Sequence, residues 1–363
     1  MTNIVSQQYS SFNLILPNSL PDSWGMAVWG ALEPYATIHL NNSTVKTPWL
    51  QKLKKIHFSN SANKKVWVPF KGIWNSTFPI KPSDLDPQKR NYIIFHSGVK
   101  FSPSYIRMLK RDYNVCIVYY LPDTLAGLSV AHNEEEWKRY KEYYQIDYVF
   151  SFDPEDCKRY GFEFFDIYSK RADAEASNVV NDLFYIGSCR TKSRLELVQG
   201  IYDHIGNKAK CDFRMIGVAE EDMKSADGIT YNQPLGYPDV INETLKSRCI
   251  LEIMNPGQHG NTLRYKEAVC YGKKLLSNNP DILTSKYYNP KWMQYFEKPE
   301  DIDVDWLNNG ETPDYGYEGE YSPVRLLQMV LSKDNKQYKQ HSTTIETTLF
   351  CNFLRACLIE WRK

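Results

Sequence analysis

The sequence predicts an α/β protein of two domains, each built on a parallel sheet. Three observations carry this. Short apolar runs alternate with helical stretches along most of the chain, the pattern of βαβ units. Two of these runs lead into helices through junctions that hold glycine, Leu183–Gly187 through its own last residue and Cys249–Met254 through a glycine-containing loop, the kind of junction at which such sheets bind ligands. The 363 residues suffice for two cores, and the polar stretch Ser169–Asn181, which lacks periodicity, separates two halves.

In the first half, Phe12–Leu16 is a strand, Pro17–Trp24 a turn-rich loop and Gly25–Leu32 a short helix. From Pro34 to Ser83 no acidic residue occurs, but lysines 46, 52, 54, 55, 64, 65, 71 and 81 do, interleaved with Trp49, Ile56, Phe58, Trp67 and Trp74. Such a stretch suits either an anionic membrane surface, through Lys46, Lys52, Lys54, Lys55, Lys64 and Lys65, or a solvated face over buried tryptophans. Tyr92–Phe95 is a strand followed by His96, Ser97 and Gly98, and Ser102-Pro103 opens a helix. Val115–Tyr120 is the next strand, followed by Leu121-Pro122-Asp123-Thr124. His96 and Asp123 thus stand at the carboxyl ends of two strands, where an α/β sheet places its chemistry. Both are candidates for a general base, although a loop histidine and a turn cap explain them structurally. Glu134–Tyr144 is a helix, Asp147–Ser151 a strand, Asp153–Tyr160 a short helix closed by Gly161, and Phe162–Asp166 the last strand of this half.

In the second half, Leu183–Gly187 precedes a loop holding Arg190 and Lys192, then a helix to about Ile205. Cys211–Gly217 is a strand, Tyr231–Tyr237 a loop and Pro238–Arg248 a helix. After the strand Cys249–Met254 comes a loop with Pro256, Gly257 and Gly260. Asn261 or Thr262 caps the following helix, Gly272 ends it, and Lys274–Ser277 starts another strand. Glycines let backbone approach a ligand, and the N–H groups of a helix start favour an anion. Arg264, in the first turn, is placed to pair with a phosphate, and Glu267, one turn on, to accept hydrogen bonds from sugar hydroxyls. The set suits a nucleotide diphosphate linked to a sugar, although a glycine loop before a helix is common.

The run GQHGNTLRYKEAVCYGKKLLSNN resembles the donor-site segment of GT-B glycosyltransferases, in particular bacterial enzymes of capsule, lipopolysaccharide and exopolysaccharide assembly. The segment DYVFSFDPEDCKRYGFEFFDIYSK resembles the end of their N-terminal domain. The resemblance implies two Rossmann-like domains facing each other across a cleft, the second holding a nucleotide-sugar donor. It places the phosphate near Gly260, Asn261 and Thr262, the ribose near Glu267, and Gly187, Arg190 and Lys192 toward the diphosphate. Where many retaining members carry a glutamate, eight residues before Glu267, this chain has His259, closer to the His-Gly pattern of some inverting members; the stereochemical outcome stays open.

The domains expected are 1–170 and 183–335, with a linker at 171–182 and a C-terminal helix in 336–363 crossing back to the first domain. No cofactor or metal is expected; Asp301-Ile302-Asp303 and Asp303-Val304-Asp305 read as chance in an acidic stretch. A net charge of +1 gives no sign of nucleic acid binding. The eight scattered cysteines, without a CxxC, and the absence of a secretory start point to a reduced cytoplasm, with attachment to the inner face of the cell membrane as an option. The expected activity is sugar transfer to a hydroxyl of a growing surface polysaccharide or lipid-linked oligosaccharide. A nucleotide-sugar epimerase, a non-catalytic glycan-assembly protein and a membrane-surface scaffold remain as alternatives.

Overall fold

A computed structural model describes residues 10–17, 28–41, 45–59, 62–63, 68–96, 101–170, 178–254 and 260–335. The chain divides into two compact units. Unit 1 holds residues up to Ile15, Tyr35–Phe165 and the segment from Pro323; unit 2 holds Leu16–Pro34 and Asp166–Ser322. Each unit carries a six-stranded sheet, so the protein is α/β with two Rossmann-like units.

In unit 1 the strands are β1 (Ser10–Leu16), β2 (Thr37–Leu40), β3 (Arg90–His96), β4 (Val115–Leu121), β5 (Tyr148–Ser151) and β6 (Glu163–Phe164), in the order β2-β1-β3-β4-β5-β6. The ladders from β1 through β3, β4 and β5 to β6 are parallel. A parallel strand covered on both faces reads as a continuous apolar run, and every residue of β4, VCIVYYL, is buried. The helix Pro103–Tyr113 starts as read, with Ser102 accepting from the Tyr105 N–H and proline in the first turn.

Two elements of unit 1 differ from expectation. Pro48–His57, inside the lysine-rich stretch, is a helix with no fully buried residue, its apolar side chains divided between an exposed side, Trp49 and Ile56, and a half-buried one. Its partly buried Leu50 and Leu53 rest on the core of Trp74, Phe78 and Phe101. Lys54 turns inward: its ammonium donates to Thr77 Oγ1 at 2.7 Å and lies over the Phe78 ring. Lys71 is buried and donates to the Val68 carbonyl at 2.6 Å. Lys46, Lys52 and Lys55 are exposed, while Lys64 and Lys65 lie outside the described residues. The second difference is the helical segment 323–335, expected in the second domain, which belongs to unit 1. There Asp334 accepts from Arg90 Nε at 2.9 Å, Tyr92 at 2.8 Å and Tyr148 at 3.0 Å. The expected crossing helix in 336–363, the linker residues 171–177 and residues 18–24 of the expected loop Pro17–Trp24 lie outside the described residues.

In unit 2 the strands are β7 (Asn181–Ser188), β8 (Cys211–Ile216), β9 (Ile229–Tyr231), β10 (Ser247–Glu252), β11 (Lys274–Ser277) and β12 (Met293–Tyr295). Their order is β12-β11-β10-β7-β8-β9, and every ladder is parallel. Alternate residues of β10 face opposite layers. Cys249 and Leu251 pack with Leu195, Val198 and Ile201 of the helix Lys192–Ile205. Ile250 packs with Tyr265, Ala268 and Val269 of the helix Leu263–Tyr271. The helices that follow β7 and β10 therefore cover opposite faces of one sheet.

Candidate functional site

In chain order unit 2 runs 6-5-4-1-2-3 across its sheet, the doubly wound arrangement. The order reverses between β7 and β10, and their connections leave to opposite faces. Ligands of open α/β sheets bind in the crevice beyond the carboxyl ends of the strands at such a point. The two junctions singled out in the sequence are those two carboxyl ends.

At the β7 end, Gly187 is packed closely: a Cβ there would stand 2.6 Å from the Tyr185 hydroxyl oxygen. Arg190 is exposed and its stem lies on Gly217, which follows β8 with φ +81°; a Cβ on Gly217 would stand 2.6 Å from Arg190 Cγ. Among the described residues Arg190 has no carboxylate partner. Lys192 is also exposed, 3.9 Å from Glu196. The helix they introduce has Thr191 at its N-cap with no side-chain cap bond, and no acid in its first turn. Its N–H dipoles therefore point into a region of positive charge with no side-chain acceptor from the cap.

The β10 end is built differently. Gly260 has φ +84°, its N–H donates to Asp281 Oδ2 at 2.7 Å, and its carbonyl accepts from Asn279 Nδ2 at 3.0 Å. The Met254 N–H donates to Asn278 Oδ1 at 2.7 Å. The segment after β11 thus holds both ends of the loop, and His259 lies outside the described residues. Asn261 is half-buried beside Thr262, which is the cap: its hydroxyl accepts from the Arg264 N–H at 3.1 Å. The same hydroxyl donates to Glu252 Oε1, and Ser277 donates to Glu252 Oε2. Glu252 is buried at the very end of β10, and burial pushes its carboxyl upward against the two hydroxyls that favour the charged form.

Glu267 is fully buried, with Tyr237 donating to Oε1 at 2.8 Å and Arg264 bound to Oε2. Burial raises its carboxyl, and the Arg264 guanidinium is the largest opposing influence. The Tyr237 hydroxyl also lies 3.1 Å from that of Tyr168. Arg264 and Glu267, expected to face phosphate and ribose, are here each other's partner. Glu252, Ser277, Asn278, Asn279, Asp281 and Tyr237 were not singled out in the sequence. The usable signal was a glutamate ending an apolar strand, CILE, and the Ser-Asn-Asn run ending β11.

In unit 1, His96 ends β3, buried, with its ring 6.2 Å from that of Tyr120. Asp123 follows β4, exposed, its Oδ1 accepting from the Thr124 N–H at 2.8 Å. That bond is a turn cap. Asp301 and Asp303 are also caps: Asp301 accepts from the Lys298 N–H, and Asp303 from the Asp305 N–H. Among the described residues no group of three or more His, Cys, Asp or Glu is placed to hold a metal ion. Nor is any helix among them long and apolar enough to cross a membrane.

No family model and no curated protein matches the chain. Solved structures do. An alpha-glucosyltransferase in complex with UDP and DNA is 10% identical, covering 87% of this chain and 93% of its own, with a TM-score of 0.44. A sucrose-phosphate synthase from Thermosynechococcus elongatus is 10% identical, covering 92% and 98%, with a TM-score of 0.43. A UDP-N-acetylglucosamine 2-epimerase from Rickettsia bellii is 12% identical, covering 89% and 96%, with a TM-score of 0.44.

Proposed function

We propose that the protein is a glycosyltransferase that takes a sugar from a nucleotide-diphosphate donor bound by unit 2. The observation that supports this best is the switch point. The strand order of unit 2 reverses between β7 and β10, and both strands end there in the junctions that resemble a donor site. The Lys192–Ile205 helix start offers N–H dipoles and the exposed Arg190 and Lys192 to a diphosphate, while Gly260, Asn261 and Thr262 bring backbone from the other side. Positive groups fixed before the reaction stabilise the leaving diphosphate as its charge develops.

The acceptor is the hydroxyl of a growing surface polysaccharide or lipid-linked oligosaccharide, and His96 and Asp123 are the candidates for the base. Asp123 would have to give up its bond to Thr124 to serve. Arg264 acts in this account by holding Glu267, and the phosphate contact passes to Arg190.

A thermal-shift series with UDP, GDP, CMP and dTDP and their sugars tests the donor site. A ligand at about 100 times its dissociation constant adds about 2.7 kcal/mol. One nucleotide should raise the midpoint, and Arg190→Ala should abolish the rise while leaving the free protein's midpoint within about 0.5 kcal/mol, as for an exposed side chain. No rise with any nucleotide from folded protein overturns the assignment.

A further inference from the structure

Unit 1 carries a second surface, unrelated to the nucleotide. Four of its large apolar side chains stand in water within one short stretch: Trp49 is 65% exposed, Ile56 47%, Phe70 79% and Ile73 59%. Trp49, Lys52 and Ile56 follow one another at helical spacing on the outer side of the helix Pro48–His57. Phe70 and Ile73 flank the start of the neighbouring 3-10 turn Lys71–Thr77. The two pieces are bound together, since Trp74 Nε1 donates to His57 Nδ1 at 2.9 Å and Lys54 donates to Thr77.

The backbone supports the same conclusion independently. Phe70 has φ +61°, in the left-handed region that bulky residues avoid. Strain of this kind commonly marks a functional segment, and here it holds an aromatic ring out into water. Charge completes the pattern. Lys46, Lys52 and Lys55 are exposed on the same segment as Trp49 and Ile56, and the sequence from Pro34 to Ser83 has no acid.

We propose that the region formed by Trp49, Lys52, Ile56, Phe70 and Ile73 seats the protein on an anionic lipid surface. Exposed aromatic and aliphatic side chains that enter the headgroup boundary, together with lysines that meet lipid phosphates, are the chemistry of interfacial binding. A nucleic acid would use the lysines but offers little to Ile56, Ile73 and a protruding Phe70. The surface does not depend on what unit 2 binds.

Flotation of the whole chain with phosphatidylcholine vesicles, with and without phosphatidylglycerol, tests it. Binding should require phosphatidylglycerol and weaken as salt rises. Lys52→Gln and Lys55→Gln should each lower the partition coefficient about fivefold. Phe70→Gly should lower it about tenfold through lost apolar burial, while raising the unfolding midpoint, because glycine relieves the positive φ. Ile73→Ser repeats the test without touching that backbone, and Leu283→Ala, exposed in unit 2, should change nothing. Any of the following results overturns the proposal. Vesicles are ignored, or neutral and anionic vesicles bind equally. Phe70→Gly and Ile73→Ser bind like the parent. The same variants instead break a dimer seen in sedimentation. They abolish retention of a DNA duplex while vesicles are ignored.

Discussion

The pairing of Arg264 with Glu267 decides how the proposed donor site is to be dissected. Glu267 is wholly buried, and its two oxygens are taken by Tyr237 and Arg264. Removing one partner of a buried pair leaves an uncompensated charge, at about 3–5 kcal/mol. Arg264→Ala should therefore cost about 3 kcal/mol in urea unfolding, and the Arg264→Ala, Glu267→Gln double variant should recover part of it. An additive double variant would contradict the pairing. This interaction lies at a spacing of three residues, and both side chains were singled out in the sequence as donor-site candidates. What the sequence could not show is that they satisfy each other, because the Tyr237 hydroxyl that completes the set comes from 30 residues away. Glu252 was missed for the same reason: its donors, Thr262 and Ser277, are 10 and 25 residues distant, and no periodicity encodes such contacts.

The segment 323–335 shows how an element is assigned to a unit by a few polar contacts. Asp334 takes two bonds from Arg90, at 2.9 and 3.0 Å, and one from each of two tyrosines. Burial opposes its charge, but the Arg90 and tyrosine donors prevail, and its carboxyl is held below the usual range. A carboxyl lowered on folding adds stability above its unfolded value, roughly 3.9, and loses it as pH falls through the folded value. Asp334→Asn should cost about 1–2 kcal/mol at neutral pH, the difference shrinking below about pH 4. A difference constant with pH in urea titrations would remove Asp334 from this role. Elements with apolar runs were legible: β3, β4, β7, β8 and β10 lie within about two residues of their sequence positions, as boundaries of such elements do. The edge strands β2 and β12 are short and offer little pattern to read, and the helix Pro48–His57 turns Leu50 and Leu53 inward but Trp49 and Ile56 outward, so its apolar residues do not mark one buried face.

Over the whole chain, the two halves were readable from length and the polar stretch after Tyr168, but the units are not simple halves. Leu16–Pro34 belongs to unit 2 and the segment from Pro323 to unit 1, assignments that depend on packing rather than on composition. The proposed donor site is one the sequence could point to because it rests on backbone-determined places, the ends of β7 and β10, where glycines and helix starts leave a local signature. We propose that these two ends hold a nucleotide diphosphate. Hydrogen exchange of the whole protein, with and without the nucleotide that raises its melting point, tests this most directly. Exchange should slow in peptides covering 187–194 and 260–264, with no comparable change at the ends of β3 and β4. Protection elsewhere, with those two junctions unchanged, would contradict it.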